Sequence, residues 1–403
     1  MSGLWSSGGE GALAGVRVVD AATLLAGPMI ATHMGDFGAD VLKLEHPSGE
    51  PLRSFGWQRD GISLWWKTAS RNKRACTLNL SKAAGQEILL ELIADADVLI
   101  ENFRPGTMER WNLGYERLSE HNPRLIMVRT TGFGQTGPYH DRPGFGTLAE
   151  AMSGLAWVLG ERDRPPIVPP LPMADGIAAL SGTIATLIAL RHRDLTGRGQ
   201  CIDLSLLEPL FAFLGPQVAA YEQTGAIDQR DGSRASFGAP RNVYRTADDR
   251  FVAISTSAQS AADRLFVSIG RSDLVASGCY DTTQRRLAHA DELDALIAAW
   301  VADRTQSEVL RIWDEHGVAG CPIYNVLDII EDEHVAARQM LVEVDDDELG
   351  ALRLPGVFPP MSETPGRVRH AGRPLGADNE AVLGGALRRS PDELASLRDA
   401  GVI

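Results

Sequence analysis

The sequence predicts a two-domain α/β protein whose larger part is built on a parallel β-sheet. Short runs rich in β-branched residues alternate with segments of helical periodicity along the N-terminal half. Consecutive runs are far enough apart for a helical crossover, which is the spacing of a parallel sheet. The 403 residues also exceed the length at which a single hydrophobic core normally stops growing.

The first predicted unit is strand, helix and strand. Residues 16–20 (VRVVD) form the first strand, a helix runs from Gly27 to about Phe37, and residues 41–45 (VLKLE) form the second strand. The elements that follow are the amphipathic helix 82–94 and the strands 98–102 and 125–130. The first turn, AATLLAGP, lacks a dinucleotide-binding G-x-G-x-x-G. Ligands are still expected at the carboxyl ends of the strands.

The later part of the chain predicts a second domain. A strand at 201–206 and an apolar helix to about residue 223 precede the polar, turn-rich stretch 227–242. A strand at 250–256 and three helical patterns follow. We therefore expect a flexible N-terminus at 1–14, the first part of a large domain at 15–225, a small domain at 226–320, and a C-terminal segment at 321–403 that returns to the large domain.

The charge and composition narrow the function. Lysine and arginine total 39 and aspartate and glutamate total 53, so the formal net charge is −14. This balance disfavours nucleic acid or an anionic membrane surface as a partner. No run of 18 apolar residues predicts a membrane span, and MSGLWSSGGEGALAG does not resemble a signal peptide. We expect a cytoplasmic protein.

The four cysteines give no sign of a metal or disulfide framework. Cys76, Cys201, Cys279 and Cys321 are far apart and form no C-x-x-C pair. We expect each to be a small buried apolar residue in a reducing compartment, and no metal site.

Asp175 is the most informative residue, because it lies between a proline-rich turn and a long apolar helix predicted from Gly176 to about Arg193. It has two plausible roles. Asp at an N-cap accepts hydrogen bonds from the first free N–H groups of a helix. A carboxylate can also attack an activated acyl carbon and form a covalent intermediate.

Basic and polar residues cluster at predicted strand ends and loops. One cluster is SRNKR at 70–74, a second includes Asn102, Arg104 and Arg110, and His46 follows the second strand. Guanidinium groups match phosphate oxygens, so these clusters are candidates for a phosphate-rich ligand. Solvated surface charge is the alternative. His140 is a candidate base, with a surface turn as the alternative.

Eight motifs occur together in an order that resembles one enzyme family. They are LLAGPMIATHMGDFGADVLKLEHPSGE, NKRACTLNL, DVLIENFRPGTMERWNLGYERL, NPRLIMVRTTGFGQTGPY, RPGFGTLAEAMSGL, PMADGIAALSG, TGRGQCIDLSLLE and SETPGRVRHAGRPLG. With these motifs the chain resembles the family III CoA-transferases from about Gly15 to Leu383. That family includes formyl-CoA transferase, the carnitine and bile-acid CoA-transferases and the 2-methylacyl-CoA racemases.

The resemblance implies roles for particular residues. The family's catalytic aspartate falls on Asp175. The positions implied to contact coenzyme A are Leu25, Ala26, His46, Arg71, Asn72, Lys73, Asn102, Phe103, Arg104 and Arg110. Formyl-CoA transferase has an arginine where His46 stands. The family's glycine-rich loop falls on Arg230–Ala239, which has only two glycines here and is a candidate lid.

The resemblance also implies the architecture. Family members have a Rossmann-like large domain built from both chain ends and a smaller α/β domain between them. Two such chains interlace as rings in a homodimer. CoA enters as a substrate thioester, so no permanently bound cofactor is expected.

One position separates the two branches of the family. The racemases use a histidine about 30 residues before the aspartate, and Phe145 stands there. Phenylalanine cannot accept a proton, which removes half of a two-base epimerisation. We therefore predict a CoA-transferase that works through an aspartyl mixed anhydride and an aspartyl–CoA thioester. A 2-methylacyl-CoA racemase and a catalytically silent CoA-binding protein are the alternatives.

Overall fold

The computed structural model describes residues 4–5 and 10–403. The described chain forms two compact units. The first contains the residues up to Leu155 together with Pro169–Gly215 and Glu333–Ile403. The second contains Ala156–Val168 and Pro216–Asp332.

The strands and helices are numbered along the chain. The strands are β1 (Arg17–Asp20), β2 (Asp40–Glu45), β3 (Gln58–Arg59), β4 (Ile62–Ser63), β5 (Lys73–Thr77), β6 (Val98–Glu101), β7 (Ile126–Thr131), β8 (Cys201–Ser205), β9 (Arg241–Arg245), β10 (Phe251–Ser255), β11 (Gly320–Pro322), β12 (Leu341–Asp346) and β13 (Gly350–Pro355). The helices are α1 (Ala26–Asp36), α2 (Leu64–Ala69), α3 (Ala83–Ile93), α4 (Thr107–Arg110), α5 (Tyr115–His121), α6 (Gly146–Met152), α7 (Leu155–Val158), α8 (Met173–Thr196), α9 (Leu207–Phe213), α10 (Gln217–Thr224), α11 (Gln259–Ser268), α12 (Ser272–Ala276), α13 (Thr283–Ala288), α14 (Ala290–Ala302), α15 (Gln306–Glu315), α16 (Val326–Glu331), α17 (Glu333–Ala337) and α18 (Pro391–Asp399). A 3₁₀ turn at Pro51–Ser54 and a π-helical turn at Glu380–Ala386 complete the set.

A six-stranded parallel sheet organises the first unit. Its strand order is β5-β2-β1-β6-β7-β8, and every neighbouring pair is parallel. Numbered within the sheet, this is the order 3-2-1-4-5-6 of doubly wound nucleotide-binding folds. The predicted α/β fold with a parallel sheet is confirmed. The strand order reverses between β1 and β6, so the ends of these two strands are the expected place for a ligand.

Both faces of the sheet are buried. Val18 and Val98 pack on one face with residues of α1 and α8. Val19 and Leu99 pack on the other face with α3 and with residues of the chain's C-terminal part, including Leu394. Side chains alternate between the faces of a strand, so each short β-branched run contributes to both layers.

The edge strand β5 was not predicted, and its first residues belong to the basic cluster SRNKR. Lys73 and Arg74 begin this strand. Lys73 Nζ lies 2.8 Å from Asp20 Oδ2, and Arg74 Nε donates to Asp40 Oδ1 at 3.0 Å. Sequence patterns place charged residues at the surface. Here each basic side chain is paired with a carboxylate, so a strand of the sheet can begin with two of them.

Helix α8 is longer than predicted and begins earlier. It starts at Met173, three residues before the predicted Gly176, and Gly197 ends it in a left-handed conformation with φ 76°. Length and composition alone would allow α8 to cross a membrane, a test that no other helix within 4–5 and 10–403 meets. Core helices of globular proteins meet the same test, and Ala179 and Ala189 of α8 pack in the sheet's apolar layer.

The second unit has its own antiparallel sheet and core. Its strand order is β11-β10-β9, and residues of α11, α14 and α15 pack against it. Trp313, Val252 and Ile297 belong to its main apolar cluster.

The cysteines differ from the expectation of general burial. Cys76 is buried in the first unit, and burial raises the pKa of its thiol to about 12. The other three cysteines are exposed and free.

Candidate active site

A small cavity of about 190 Å³ lies at the carboxyl ends of the parallel strands. The loops after β1, β6 and β7 form its walls, and the first turn of α8 contributes Asp175. Its lining residues are Thr23, Leu24, Leu25, Ala26, Asn102, Phe103, Arg104, Pro105, Thr130, Thr131, Gly132, His140, Arg142, Pro143, Gly144, Phe145, Asp175 and Leu206. The cavity therefore lies where the strand order reverses.

A side-chain amide joins the two loops at this reversal point. Asn102 Oδ1 accepts from the Thr23 backbone N–H at 2.8 Å, and Asn102 Nδ2 donates to the Thr23 carbonyl at 2.7 Å. This pair of bonds acts like one rung of a β-ladder between two loops that are 79 residues apart in sequence. Leu24 follows with a positive φ of 62°, and Glu50 Oε2 accepts from its N–H at 2.8 Å. The backbone of Thr23 and Leu24, which leads into α1, is therefore held by Asn102 and by Glu50.

Asp175 is not the N-cap of α8, which corrects one of the two roles considered for it. Pro172 occupies the N-cap position, and Asp175 lies within the first helical turn. Glu150, which is 1% exposed, accepts from the Ala174 N–H through Oε1 at 3.1 Å. One of the free N–H groups of the helix is therefore satisfied by a different carboxylate.

The carboxyl group of Asp175 is partly buried, and its pKa is raised to about 6. Burial is the largest cause, and the charge of Glu150 is the next. Hydrogen bonds from its own N–H and from the Ala26 N–H act in the opposite direction. Desolvation therefore outweighs the backbone N–H groups at the start of the helix, which by themselves would lower this pKa.

Gly146 provides the space that the Asp175 side chain occupies. A Cβ atom added at residue 146 would lie 3.2 Å from Asp175 Cγ and would overlap Oδ2. Gly146 begins α6, and the same helix carries Glu150. One short helix thus contacts both the carboxyl group of Asp175 and the backbone just before it.

The loop between β7 and α6 is held at its base by two glycines. A Cβ atom at Gly132 would lie 2.5 Å from the Cα atom of Gly144, so the two backbones are in direct contact. Within the loop, the Arg142 guanidinium lies 3.8 Å from the centre of the Tyr139 ring. Tyr139 also makes an edge-to-face contact with Phe133, with ring centres 6.1 Å apart. These contacts hold Arg142 in a defined place before any ligand binds.

Two hydroxyl groups at the end of β7 lack hydrogen-bond partners. The Oγ1 atoms of Thr130 and Thr131 are buried, and neither has a partner among the described residues. Thr130 is only 2% exposed, and both residues line the cavity. A buried hydroxyl without a partner is costly, so each group is suited to a ligand.

The structure brings about half of the predicted CoA-contact residues to the cavity. Leu25, Ala26, Asn102, Phe103 and Arg104 line it together with Asp175. Among the described residues, Arg104 has no ion-pair partner. These five residues come from the loops after β1 and β6 and from the start of α1.

The other predicted contacts do not line this cavity, and most have partners within the protein. Arg71 forms a bidentate pair with Asp36, with Nη2 2.7 Å from Oδ2. Asn72 Nδ2 also donates to Asp36, and Lys73 is paired with Asp20 as described above. His46 is exposed and bonds to Ser48 and Asn79. Arg110 Nη2 donates to Thr107 Oγ1 at 2.8 Å.

Three further positions singled out in the sequence have clear locations. His140 lines the cavity, and its ring nitrogens contact the Gly137 carbonyl and Asp141 Oδ2. Phe145 lines the same cavity as Asp175 and is 61% exposed. Arg230–Ala239 lies within the second unit, where Arg234 Nε pairs with Asp294 Oδ2 at 2.6 Å.

Sequence reasoning missed Gly146, Glu150, Thr130 and Arg142. The glycine-rich motif RPGFG was a usable signal for close backbone contact near residue 146. Arg142 is the first residue of the same motif, but the motif does not show where its side chain lies. Glu150 and Thr130 carry no local signal, because a glutamate on a short helix and a threonine in a strand are common in any α/β protein.

The sequence profile of CoA-transferase family III matches residues 13–379, which is most of the chain. The chain belongs to this family. The predicted family is therefore confirmed. The chain is an enzyme of this family rather than a catalytically silent CoA-binding protein.

Relatives of this family III CoA-transferase match over nearly their whole length. The beta subunit of a succinyl-CoA–L-malate CoA-transferase from Chloroflexus aurantiacus is 44% identical over 97% of this chain and 98% of its own. A succinyl-CoA–D-citramalate CoA-transferase from the same organism is 39% identical over 96% and 97%. The crystal structure of a CAIB/BAIF family protein from Brucella suis is 29% identical, with a TM-score of 0.81 over 94% of this chain and 99% of that chain. The names of the two Chloroflexus proteins describe CoA transfer that pairs succinyl-CoA with L-malate or D-citramalate.

Proposed function

We propose that this enzyme transfers CoA from succinyl-CoA to a dicarboxylic acid of the malate or citramalate type, with Asp175 as the nucleophile. One observation carries the proposal. The Asp175 carboxyl group, with a pKa of about 6, lines a small cavity at the carboxyl ends of the strands. Two relatives that match almost end to end are named for succinyl-CoA and a four- or five-carbon dicarboxylic acid.

The proposed reaction begins on the acyl-CoA. An Asp175 carboxylate oxygen attacks the thioester carbonyl carbon, the C–S bond breaks, and CoA leaves as a thiolate. The product is a mixed anhydride of Asp175 and the donor acid. The thiolate then attacks Cγ of Asp175, and the donor acid leaves as a carboxylate. Asp175 is now a CoA thioester, which preserves the acyl activation.

The second half of the reaction reverses these steps. A carboxylate oxygen of the incoming acid attacks Cγ of Asp175 and displaces the CoA thiolate, forming a second mixed anhydride. The thiolate attacks the acyl carbon of the incoming acid, which leaves as its CoA ester. Asp175 returns as a free carboxylate, so atoms and charge balance over the cycle.

The surroundings of Asp175 suit these steps. At neutral pH a carboxyl group with a pKa of about 6 is mostly ionised, and it is more basic than an ordinary aspartate. The Ala26 N–H at the start of α1 acts on this carboxyl group and favours its ionised form. Such a backbone donor is placed to stabilise negative charge on an oxygen of the tetrahedral intermediates. Phe145 offers no base for a proton shuttle, which supports transfer over racemisation.

For CoA we propose contacts from the cavity residues Leu25, Ala26, Asn102, Phe103 and Arg104. Contacts from His46, Arg110 and the segment Arg71–Lys73 stay predictions. CoA would act as a substrate rather than as a resident cofactor. The Arg230–Ala239 loop is proposed as a lid, and the domain limits 15–225, 226–320 and 321–403 are kept as proposed boundaries.

We further propose an interlaced homodimer in the cytoplasm. Large apolar side chains of α8 are exposed in the single chain, among them Ile184 at 59% and Ile188 at 64%. Exposed apolar residues of this size on one helix are typical of a protein–protein interface. Size-exclusion chromatography with light scattering tests this assembly, and a monomer at micromolar concentration would contradict it.

The nucleophile is tested by trapping. The protein is incubated with succinyl-CoA, treated with hydroxylamine, digested and analysed by mass spectrometry. A hydroxamate at residue 175 is expected, because hydroxylamine cleaves both acyl intermediates. Asp175→Ala should give no adduct and no transfer while still binding CoA. Full CoA transfer by Asp175→Ala would contradict the proposal.

A further inference from the structure

Two cationic side chains in the cavity have no acidic partner. Arg104 and Arg142 both line it, and neither forms an ion pair with any residue within 4–5 and 10–403. The other ionisable groups of the lining are His140, whose ring contacts Asp141, and Asp175, whose carboxyl group feels the charge of the buried Glu150. A dicarboxylate that approaches two carboxylates needs a compensating positive charge.

The two arginines lie on different walls of the cavity. Arg104 follows β6, in the ENFRPG turn that is a candidate for binding CoA. Arg142 follows β7, in the loop fastened by the Gly132–Gly144 contact. Its guanidinium is stacked on Tyr139, which leaves its N–H edge free to bind an anion while reducing the entropy lost on binding.

The cavity is small and partly open. A volume of about 190 Å³ is below the range of about 300–1,000 Å³ for typical ligand sites. A short-chain acid fits this space better than an aromatic or steroid acid. Thr130 also lines the cavity, and its buried hydroxyl has no hydrogen-bond partner among the described residues. An acid bound here would therefore meet a cation and an unpaired hydroxyl group.

We propose that Arg142 binds the carboxylate remote from the reacting end of the dicarboxylic substrate, and that the Thr130 hydroxyl hydrogen-bonds to the same acid. Arg142 and Thr130 thus select dicarboxylic over monocarboxylic acids. This inference rests on the proposed function, because the remote carboxylate is defined by reaction of the other end at Asp175.

Succinyl-CoA and butyryl-CoA test this assignment, because they differ only by a methyl group in place of the remote carboxylate. In a ping-pong reaction, kcat/KM for the donor reports the donor half-reaction alone. With L-malate as acceptor, the wild type should prefer succinyl-CoA. Arg142→Gln should lower kcat/KM for succinyl-CoA about 10- to 100-fold, as expected for a charged hydrogen bond, and leave butyryl-CoA within about threefold.

Further variants separate binding from structure. Arg142→Lys should restore part of the preference, and Arg117→Gln, a change of an exposed arginine on α5, should have no effect. Thr130→Val should lower kcat/KM for succinyl-CoA about fivefold without lowering stability against urea, because it removes an unpaired buried hydroxyl. Binding of free CoA by calorimetry should be the same in all variants.

The outcomes against the proposal are distinct. Equal losses with both donors in Arg142→Gln, or weaker binding of free CoA, would assign Arg142 to CoA instead. A Thr130→Val variant that keeps full activity with succinyl-CoA would remove Thr130 from the acid site. If the wild type uses succinyl-CoA and butyryl-CoA equally well, the proposed selectivity for dicarboxylic acids is wrong, but the proposed function is not affected. Absence of any transfer by the wild type would overturn the proposed function itself.

Discussion

The carboxyl group of Asp175 lies against the Cα atom of Gly146, in the space that a side chain at position 146 would occupy. The contact joins the first turn of α8 to the first residue of α6. Gly146 therefore controls where the proposed nucleophile can lie, although it has no reactive group.

Gly146→Ala is expected to lower kcat roughly ten- to hundredfold, because misplacement of a reacting group by about 1 Å has an effect of this size. The added methyl group would overlap Oδ2 of Asp175 and push the carboxyl group away. Steady-state kinetics and a thermal melt measure the effect. Gly385→Ala is the matched control, since its nearest contact would be an ordinary 3.8 Å. Unchanged kcat in Gly146→Ala would show that the Asp175 side chain can shift without loss of activity.

Glu150→Gln is expected to move the acidic limb of the pH profile to lower pH. Glu150 is the second cause of the raised pKa of Asp175, after burial, and Asp175 must be ionised to attack. In the wild type, kcat/KM should fall as the pH drops through about 6. Glutamine keeps an oxygen that can accept from the Ala174 N–H but lacks the charge. The profile is measured from pH 5 to 8, with Glu120→Gln on the exposed face of α5 as control. If the acidic limb of the profile lies at the same pH in Glu150→Gln and Glu120→Gln, Glu150 does not act on Asp175.

Asp175→Asn is expected to abolish transfer and to stabilise the protein at neutral pH. The folded-state pKa of Asp175 is about 6, above its value near 3.9 in an unfolded chain. The folded protein therefore holds this proton more tightly, and Asp175 lowers stability as the pH rises from about 4 to 6. The variant should gain roughly 1–3 kcal/mol at pH 7.5, allowing for partial exposure, and little at pH 4.5. Urea unfolding at both pH values measures the gain. An equal gain in the free energy of unfolding at both pH values would indicate a change in packing rather than loss of the ionised carboxylate.

Lys73→Met is expected to lower the free energy of unfolding by about 3–5 kcal/mol, since it leaves Asp20 buried without its partner at 2.8 Å. Lys43 Nζ, 3.7 Å from Asp20, compensates only in part. Arg117→Met, at an exposed position, is the control. Normal stability combined with weakened CoA binding would instead favour a direct contact between Lys73 and CoA.

The parallel sheet was predictable because the residues of most of its strands form a pattern that is recognisable in the sequence. Runs such as VRVVD and VLKLE are short and rich in β-branched and other apolar residues, and the observed β1 and β2 differ from the predicted limits by one residue each. Strand β5 was not predictable in the same way. Its first residues are Lys73 and Arg74, and groups distant in sequence compensate their charges: Lys73 pairs with Asp20 and donates to the Pro28 carbonyl, and Arg74 pairs with Asp40.

The site was predictable only in part, for a similar reason. The order of motifs pointed to Asp175, and the ENFRPG turn pointed to Asn102 and Arg104. Glu150 and Arg142 act through neighbours that the sequence does not reveal, namely the Ala174 N–H and the Tyr139 ring. The raised pKa of Asp175 depends on burial, which no local pattern reports.

The Gly132–Gly144 contact gives a practical starting point for redesign. The residues between these glycines form a loop whose base is fixed by two backbones, and Asp175 comes from a separate helix. Libraries that vary positions 139–143 and keep both glycines should change which acids are accepted while leaving the nucleophile in place. The fold would then serve as a fixed support for interchangeable acid-recognition loops.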